Sequence, residues 1–514
     1  MEKTRLKASI VNSAVAIFVQ LIIIVSTFVL QTVFIKTLGA QYLGVKGLFT
    51  NLMSFLSFAE LGVGSAITYS LYKPLSENDE YNVSAVMNLF RKTYNIIGLI
   101  ILAAGFILSF FIKDMVRDGN LIPQMQFMFI LFLLNTVVGY FFTYMRSLLI
   151  ANQQGYLDSL NRGLFTVILA VIQIIILIKS HNFIFFLISQ IIMTLISNLV
   201  ITRTAYKNFS YLPEYKDAKV PSNVIDYMKK NIFGTISSKI GSVVVFGTDN
   251  ILISKFIGLS VVGIYSNYML VISGITSLLN QMLSAVVASL GNLGVTADVE
   301  HQYQVFNRYL YVVAFVTYTC ATTLLIILNP FIGIWVGAGY QLHITTLFLI
   351  VFNFFIIQMR QASLNFISAQ GLYWPMRWKS LIEALINLVL SFTLIKTTAL
   401  GINGVIIGAI ISNVIVNIWW EPLILFKYGF KIGMSEYFKK YISYTLVFVL
   451  SSVIIYVRLN WFTIRSESFV GICFQSIVVF FSTIMIFISC FWWTTEQKYF
   501  FNLIIVKIFK TIRR

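Results

Sequence analysis

The chain has 514 residues, 58% of them hydrophobic and 11% charged, with a mean hydropathy of +0.85 and a formal charge of +18. Soluble domains carry about a quarter charged residues, so a water-soluble globular fold is excluded. The excess charge sits in short connections between apolar blocks, with 27 of the 37 Lys and Arg in alternate connections and 9 in the others. That asymmetry is a membrane-topology signal and not a nucleic-acid footprint, and it assigns both termini to the cytoplasmic side.

Apolar blocks of about 20–28 residues predict fourteen spanning helices, near 10–36, 47–72, 86–112, 122–150, 161–180, 184–205, 231–257, 261–290, 305–329, 343–369, 375–396, 402–427, 440–458 and 468–491. The expected fold class is an all-α polytopic membrane protein. The first block has no small-residue cleavage site after a short apolar core, so it reads as a retained span and not a signal peptide. Cys320, Cys473 and Cys490 fall inside predicted spans without pair spacing and read as small buried hydrophobes.

Within the second predicted span, FAELGVGSAITYS places Glu60 near mid-membrane, where a charge costs about 2.5–3.5 kcal/mol on insertion scales. On a continuous helix Ser57, Glu60, Gly64 and Thr68 share a face about 80° wide. Such a stripe faces a bundle interior. The functional reading is a proton or cation site, or a cavity wall; the structural alternative is a Glu held by one hydrogen bond.

The chain repeats itself. KTLGAQYLG (36–44) and KFIGLSVVG (255–263) share K-x-x-G-x-x-x-x-G at an offset of 219. MRSLLIANQQG and MRQASLNFISAQG, the tripeptide LIK, and the pair Asn135 and Asn353 recur in the same order at offsets of 214–218. Six helices plus six, both the same way up, imply a pseudo-twofold axis along the membrane normal, a common transporter plan. The expected division is a first lobe over 1–205, a cytoplasmic connection over 206–230, a second lobe over 231–427, and two further helices with a basic tail over 428–514.

Further intramembrane polar residues follow in chain order. Asn135, Gly139 and Arg146 share a face of the fourth span, and Thr346, Asn353 and Arg360 share one of the tenth. Two arginines in matching places would suit a diphosphate, because the planar guanidinium pairs with phosphate oxygens; the alternative is a pair of positive-inside anchors. Arg91, Arg377 and Lys379 are weaker candidates of the same kind. In the seventh span Asn231, Thr235, Ser238, Ser242 and Asp249 fall within about 40° on a helical wheel, which makes Asp249 a cavity-lining candidate. Lys239 lies off that stripe and either lines the cavity or snorkels to the interface. Glu383, about two turns into the eleventh span, is a third buried acid without an evident partner. His181, His301 and His343 lack metal-ligand spacing, and no phosphate-binding loop of the Walker type is present. The chain is expected to be neither an enzyme nor a cofactor protein.

The run FIKTLGAQYLGVKGLFTNLMSFLSFAELGVGSAITYSLYKPL, followed by TDNILISKFIGLSVVGIYSNYMLVI, resembles the Wzx-type oligosaccharide flippases of the multidrug/oligosaccharidyl-lipid/polysaccharide exporter superfamily. The resemblance covers most of the chain in motif order and helix count, and it rests on the combination of loose motifs. It implies a MATE-like fold in the bacterial cell membrane, with two lobes around a central cavity. The cargo implied is a polyprenyl-diphosphate-linked oligosaccharide, turned outward for a polymerase and other polysaccharide-assembly proteins to build capsule, exopolysaccharide or O-antigen. It supplies no residue-level substrate map. An ion-coupled multidrug exporter and a lipid II flippase of the same superfamily are the rival readings. A membrane polysaccharide polymerase is disfavoured, since it would need a sizeable outer connection, which this chain lacks, and a lipid-sugar glycosyltransferase is disfavoured because the first outer connection, TLGAQYLGVKG, contains no acid.

Overall fold

The first helix, α1 (Glu2–Leu56), turns sharply at Gly39, where φ is +78°. Only glycine enters that left-handed region without strain. Its repeat partner Gly258 has φ +135° and separates the helical residues 248–256 from α7 (Leu259–Ser284). In a computed structural model, the residues described are 2–60, 63–116, 122–220, 248–284, 287, 290, 293, 297–372, 374–459 and 469–512. Among them there is no β-strand.

After α1 come α2 (Val63–Glu77), α3 (Glu80–Ser109), α4 (Met125–Ala151, interrupted at 141–142), α5 (Gly155–Ser180) and α6 (Phe183–Asn208). The second half continues from α7 with α8 (Val299–Trp335), α9 (Ile344–Ala369, broken at Arg360), α10 (Lys379–Thr397) and α11 (Ile402–Phe430). α12 (Ser435–Leu459), α13 (Phe469–Cys490) and α14 (Thr495–Ile512) complete the chain. Eleven helices among the described residues are long and apolar enough to cross a membrane. They leave large apolar side chains such as Leu99, Phe106, Ile178, Phe474 and Phe481 exposed. A surface of that kind is lipid-facing, and the protein is a multi-pass membrane protein.

The repeat extends beyond the motifs quoted above. The N-caps of α3 and α8 are Asp79 and Asp298, those of α4 and α9 are Gln124 and His343, and those of α6 and α11 are Asn182 and Gly401. Each pair is separated by 219 residues. Helix starts are set by the capping residue and by the end of the preceding connection, so equal spacing means that both halves are built to one plan. Asp79 accepts from the Asn82 amide at 3.0 Å and from its side chain at 2.6 Å, and these hydrogen bonds hold its carboxyl below the usual range. Asp79→Ala is expected to cost roughly 0.5–1 kcal/mol of stability at neutral pH. A group with a lowered folded-state value loses its contribution as pH falls through that value. Melting of wild type and variant in detergent should therefore converge in acid and differ at pH 7.

The second predicted span is not one continuous helix. Helical geometry reaches Leu56, tightens to a 3₁₀ turn over Ser57–Glu60, and resumes at Val63. The hydroxyls of Ser54 and Ser57 bond back to the carbonyls of Thr50 and Met53 at 3.0 and 2.8 Å, a pattern that bends helices. Glu60 therefore sits in a 3₁₀ turn instead of within an α-helix.

By their internal contacts the residues form two units, Met1–Ser266 and Asn267–Arg514. In the first, the Ser254 hydroxyl donates to the Met115 carbonyl at 3.2 Å and the Lys255 amine bonds the Asp114 carbonyl. In the same unit a side-chain carbon on Gly44 would overlap the Leu259 carbonyl, and one on Gly263 would overlap the Ala40 carbonyl. Residues 40 and 259, like 44 and 263, are 219 apart, so this close crossing of α1 and α7 maps onto itself when the halves are exchanged, as an isologous contact does. In the second unit the C-terminal helices dock through aromatics. Phe448 of α12 stacks on Phe355 of α9 with centroids 4.4 Å apart, and Phe487 of α13 packs against Phe315 and Tyr318 of α8.

Candidate functional site

In the first unit Arg146 follows the interruption in α4, which swings its side chain toward α5 and α6. Its Nη1 donates to Asp158 Oδ1 at 2.6 Å, and its Nη2 donates to Asn161 Oδ1, Ser197 Oγ and Asn198 Oδ1 at 3.0–3.1 Å. The other Asp158 oxygen accepts from Arg162 Nε at 2.8 Å. Asp158, Asn161, Ser197 and Asn198 are all buried. Asn135, three turns before Arg146 on the same helix, accepts from Thr194 Oγ1 at 2.8 Å.

The second unit holds the counterpart. Arg360, at the break in α9, forks onto Glu421 of α11 through Nε to Oε2 at 3.1 Å and Nη2 to Oε1 at 2.6 Å. Its Nη1 donates to Asn413 Oδ1 at 2.6 Å. Lys379 bridges Glu421 at 2.8 Å and Glu383 at 3.0 Å. Asn417 donates to Glu383 Oε1 at 2.6 Å, and Asn413 donates to Asn353 Oδ1 at 3.4 Å. Glu383, which the sequence leaves without an evident partner, thus has Lys379 and Asn417, with Arg360 3.7 Å away. Two cations and two carboxylates form a buried cluster of zero net charge. Neutrality is what allows it inside an apolar bundle, since an unmatched ion there is costly to desolvate.

Arg146 and Arg360 therefore play similar roles from positions that the 219-residue offset does not superpose, since Arg360 falls on Phe141 and Arg146 on Asn365, and they do so with different chemistry. The partners on α6 and α11 stand at equivalent positions: Thr194 with Asn413, and Asn198 with Asn417. The acid does not: it comes from α5 in the first unit, as Asp158, and from α10 and α11 in the second, as Glu383 and Glu421. Asp158, Asn198, Asn413, Asn417 and Glu421 were not singled out from sequence. The spacing Asn413, Asn417, Glu421 places all three on one face of α11 and was the available signal.

Glu60 is half-buried, and its Oε1 accepts from Tyr94 Oη of α3 at 2.7 Å. Tyr140 of α4 donates to Ser57 Oγ at 2.9 Å, and the two tyrosine rings lie 6.1 Å apart. Asp249 has one carboxylate oxygen buried with no hydrogen-bond partner among the described residues. Tyr265 lies within its electrostatic reach. Lys239, with most of the seventh-span stripe, falls outside the described residues. Among the described residues no three His, Cys, Asp or Glu converge as a metal site would require. Among the described residues the arrangement comprises a neutral cluster around Arg360, a cluster in which Asp158 is shared by Arg146 and the exposed Arg162, one tyrosine-bound acid, and one acid with an unused oxygen.

No protein-family model matches the chain, and no curated protein matches it in sequence. Solved structures do match in three dimensions. The lipid II flippase MurJ in an inward closed conformation superposes with a TM-score of 0.63 at 15% identity, over 94% of this chain and 99% of the flippase. A multidrug resistance MATE family transporter of the MOP superfamily, inward-facing, superposes with a TM-score of 0.58 at 14% identity, over 80% of this chain and 98% of the transporter. The chain shares the all-helical membrane fold of MATE-type transporters and of the lipid II flippase.

Proposed function

We propose that the protein is a flippase that carries a polyprenyl-diphosphate-linked oligosaccharide from the cytoplasmic to the outer face of a bacterial cell membrane, by alternating access, for surface polysaccharide assembly. The observation that carries this reading is the extent of the match to a lipid-linked-substrate flippase. That match takes in most of the fifth of the chain that the multidrug transporter leaves uncovered. The motif runs around Gly39 and Gly258, which resemble the oligosaccharide flippases, favour an oligosaccharide over lipid II. Arg146, Arg360, Asn135, Asn353, Glu383, Glu60 and Asp249 remain the residues proposed to serve transport. In the described clusters an incoming diphosphate would compete with carboxylates already holding each arginine.

A second reading, an ion-coupled exporter of cationic drugs, is favoured by one specific observation. The groups with capacity to spare are acids, Asp249 above all, while both arginines are matched by carboxylates. The two separate in a strain lacking the protein. Under the flippase reading, lipid-linked repeat units accumulate on the cytoplasmic face and surface polymer is lost. Normal surface polymer with new sensitivity to cationic drugs sinks that reading in favour of the exporter, and arrested peptidoglycan synthesis sinks it in favour of a lipid II flippase.

A further inference from the structure

A cavity of ≈ 330 Å³ lies in the first unit between α3, the second segment of α4, the end of α6 and the connection that follows α6. Arg91 and Lys216 form its basic side, the phenols of Tyr144 and Tyr206 stand beside them, and the rest of the wall, including Leu212, is largely apolar. None of the described lining residues is acidic. Neither Arg91 nor Lys216 is ion-paired among the described residues, in contrast to the compensated arginines of the two buried clusters.

Basic residues at this level of a membrane protein are ordinarily solvated topology anchors. Two features set this group apart. The first is that Lys216 does not sit on a free loop. The side-chain amide of Asn88 on α3 donates to the carbonyls of Tyr215, Lys216 and Ala218 at 2.9, 3.0 and 3.3 Å. Tyr215 packs edge-on against Tyr81 at 5.9 Å, and Ala218 is buried. The connection is thus fastened to α3 before any ligand arrives, which lowers the ordering cost of binding. The second is shape and size. The volume is near the lower end of ligand pockets, about 300–1,000 Å³, which admits a phosphorylated headgroup and excludes an oligosaccharide.

We propose that this cavity binds a phosphate monoester or diphosphate group at the membrane surface, and that its occupant clamps the connection between the halves to α3. A phosphate monoester carries about −1.5 to −2 charges on three acceptor oxygens. That matches two cations, one a planar fork and one a point charge, together with the hydrogen-bonded pair of phenols Tyr144 and Tyr206, which has one O–H to spare; a carboxylate would leave one cation unmatched. The phosphate can belong to a lipid headgroup or to a soluble compound.

Purified full-length protein in detergent, examined by native mass spectrometry, is expected to retain phosphatidic acid over phosphatidylcholine by about tenfold, as charge-assisted hydrogen bonds would give. The double variant Arg91→Ala/Lys216→Ala should lose the preference, Arg91→Lys should keep part of it, and Lys92→Ala, exposed and outside the cavity, should keep all of it. Phosphatidic acid should also slow hydrogen exchange of the backbone amides over 214–218 in wild type but not in the double variant. Displacement by inorganic pyrophosphate supports a phosphate site open to soluble ligands; resistance to it supports a headgroup site. Equal retention of the two lipids by wild type, an undiminished preference in the double variant, or an equal loss in Lys92→Ala overturns the proposal.

Discussion

Glu421→Ala is expected to remove most of the folded protein from the membrane. Glu421 is buried, accepts two hydrogen bonds from Arg360 and one from Lys379, and is one of two carboxylates balancing two cations. Its loss leaves Arg360 and Lys379 facing Glu383 alone. Breaking a buried pair by removing one partner costs about 3–5 kcal/mol, a large share of a typical folding stability of about 5–15 kcal/mol. The second variant separates structure from transport. Arg360→Met combined with Glu421→Leu removes one charge of each sign and leaves Lys379 bonded to Glu383. Replacing a buried ion pair by apolar side chains of similar volume is often neutral or stabilising, so this protein should accumulate and melt near wild type. Its export activity then decides what the cluster is for. A well-folded but inactive double variant assigns the cluster to transport, and an active one assigns it to holding α9, α10 and α11 together. Wild-type thermal stability in Glu421→Ala would refute the energetic argument itself.

The sequence made the plan of the molecule legible and left the pairing of its charges hidden, for a physical reason. Apolar blocks and cap residues are local signals. The span limits agree with the helices to within a few residues for α4, α6, α9 and α11, and the repeat offset of 219 reappears in three pairs of caps and in the breaks at 141 and 360. Charge compensation is not local. Arg146 and Arg360 look like a pair in the sequence, but the 219-residue offset does not superpose them, and their tightest acids, Asp158 on α5 and Glu421 on α11, stand on non-equivalent helices, so no repeat alignment could pair them. Glu60 shows the same limit. Its acid and small-residue stripe were legible, whereas the 3₁₀ turn that re-aims it and the Tyr94 hydroxyl that holds it depend on packing between helices far apart in sequence.

Gly44→Val and Gly263→Val are expected to have nearly equal effects, and both should separate α1 from α7. The glycines meet backbone, not side chains: the Leu259 carbonyl carbon lies 2.8 Å from where a Cβ on Gly44 would stand, and the Ala40 carbonyl carbon lies 2.8 Å from one on Gly263. A rotamer change cannot relieve that overlap, so one helix has to move. Gly39 supplies the contrast. No atom stands within 4 Å of its missing Cβ, but its φ of +78° penalises any side chain. Gly39→Ala should therefore cost about 1–3 kcal/mol through backbone strain, since φ +78° with ψ −179° is a combination essentially restricted to glycine, and it adds no side-chain clash at the crossing. In a background with Cys320, Cys473 and Cys490 replaced, a short bifunctional thiol reagent should join Ala40→Cys to Leu259→Cys, two residues that flank the crossing, and either valine should suppress the crosslink by about tenfold or more, as a destabilisation of roughly 1.4 kcal/mol or more of the close-packed state requires. An alternating-access protein has to visit more than one arrangement. If it alternates by opening this crossing, export should fall both when the crosslink locks it shut and when valine holds it apart. Full export with the crosslink in place would show that α1 and α7 stay together throughout the cycle and that the crossing is a fixed pivot.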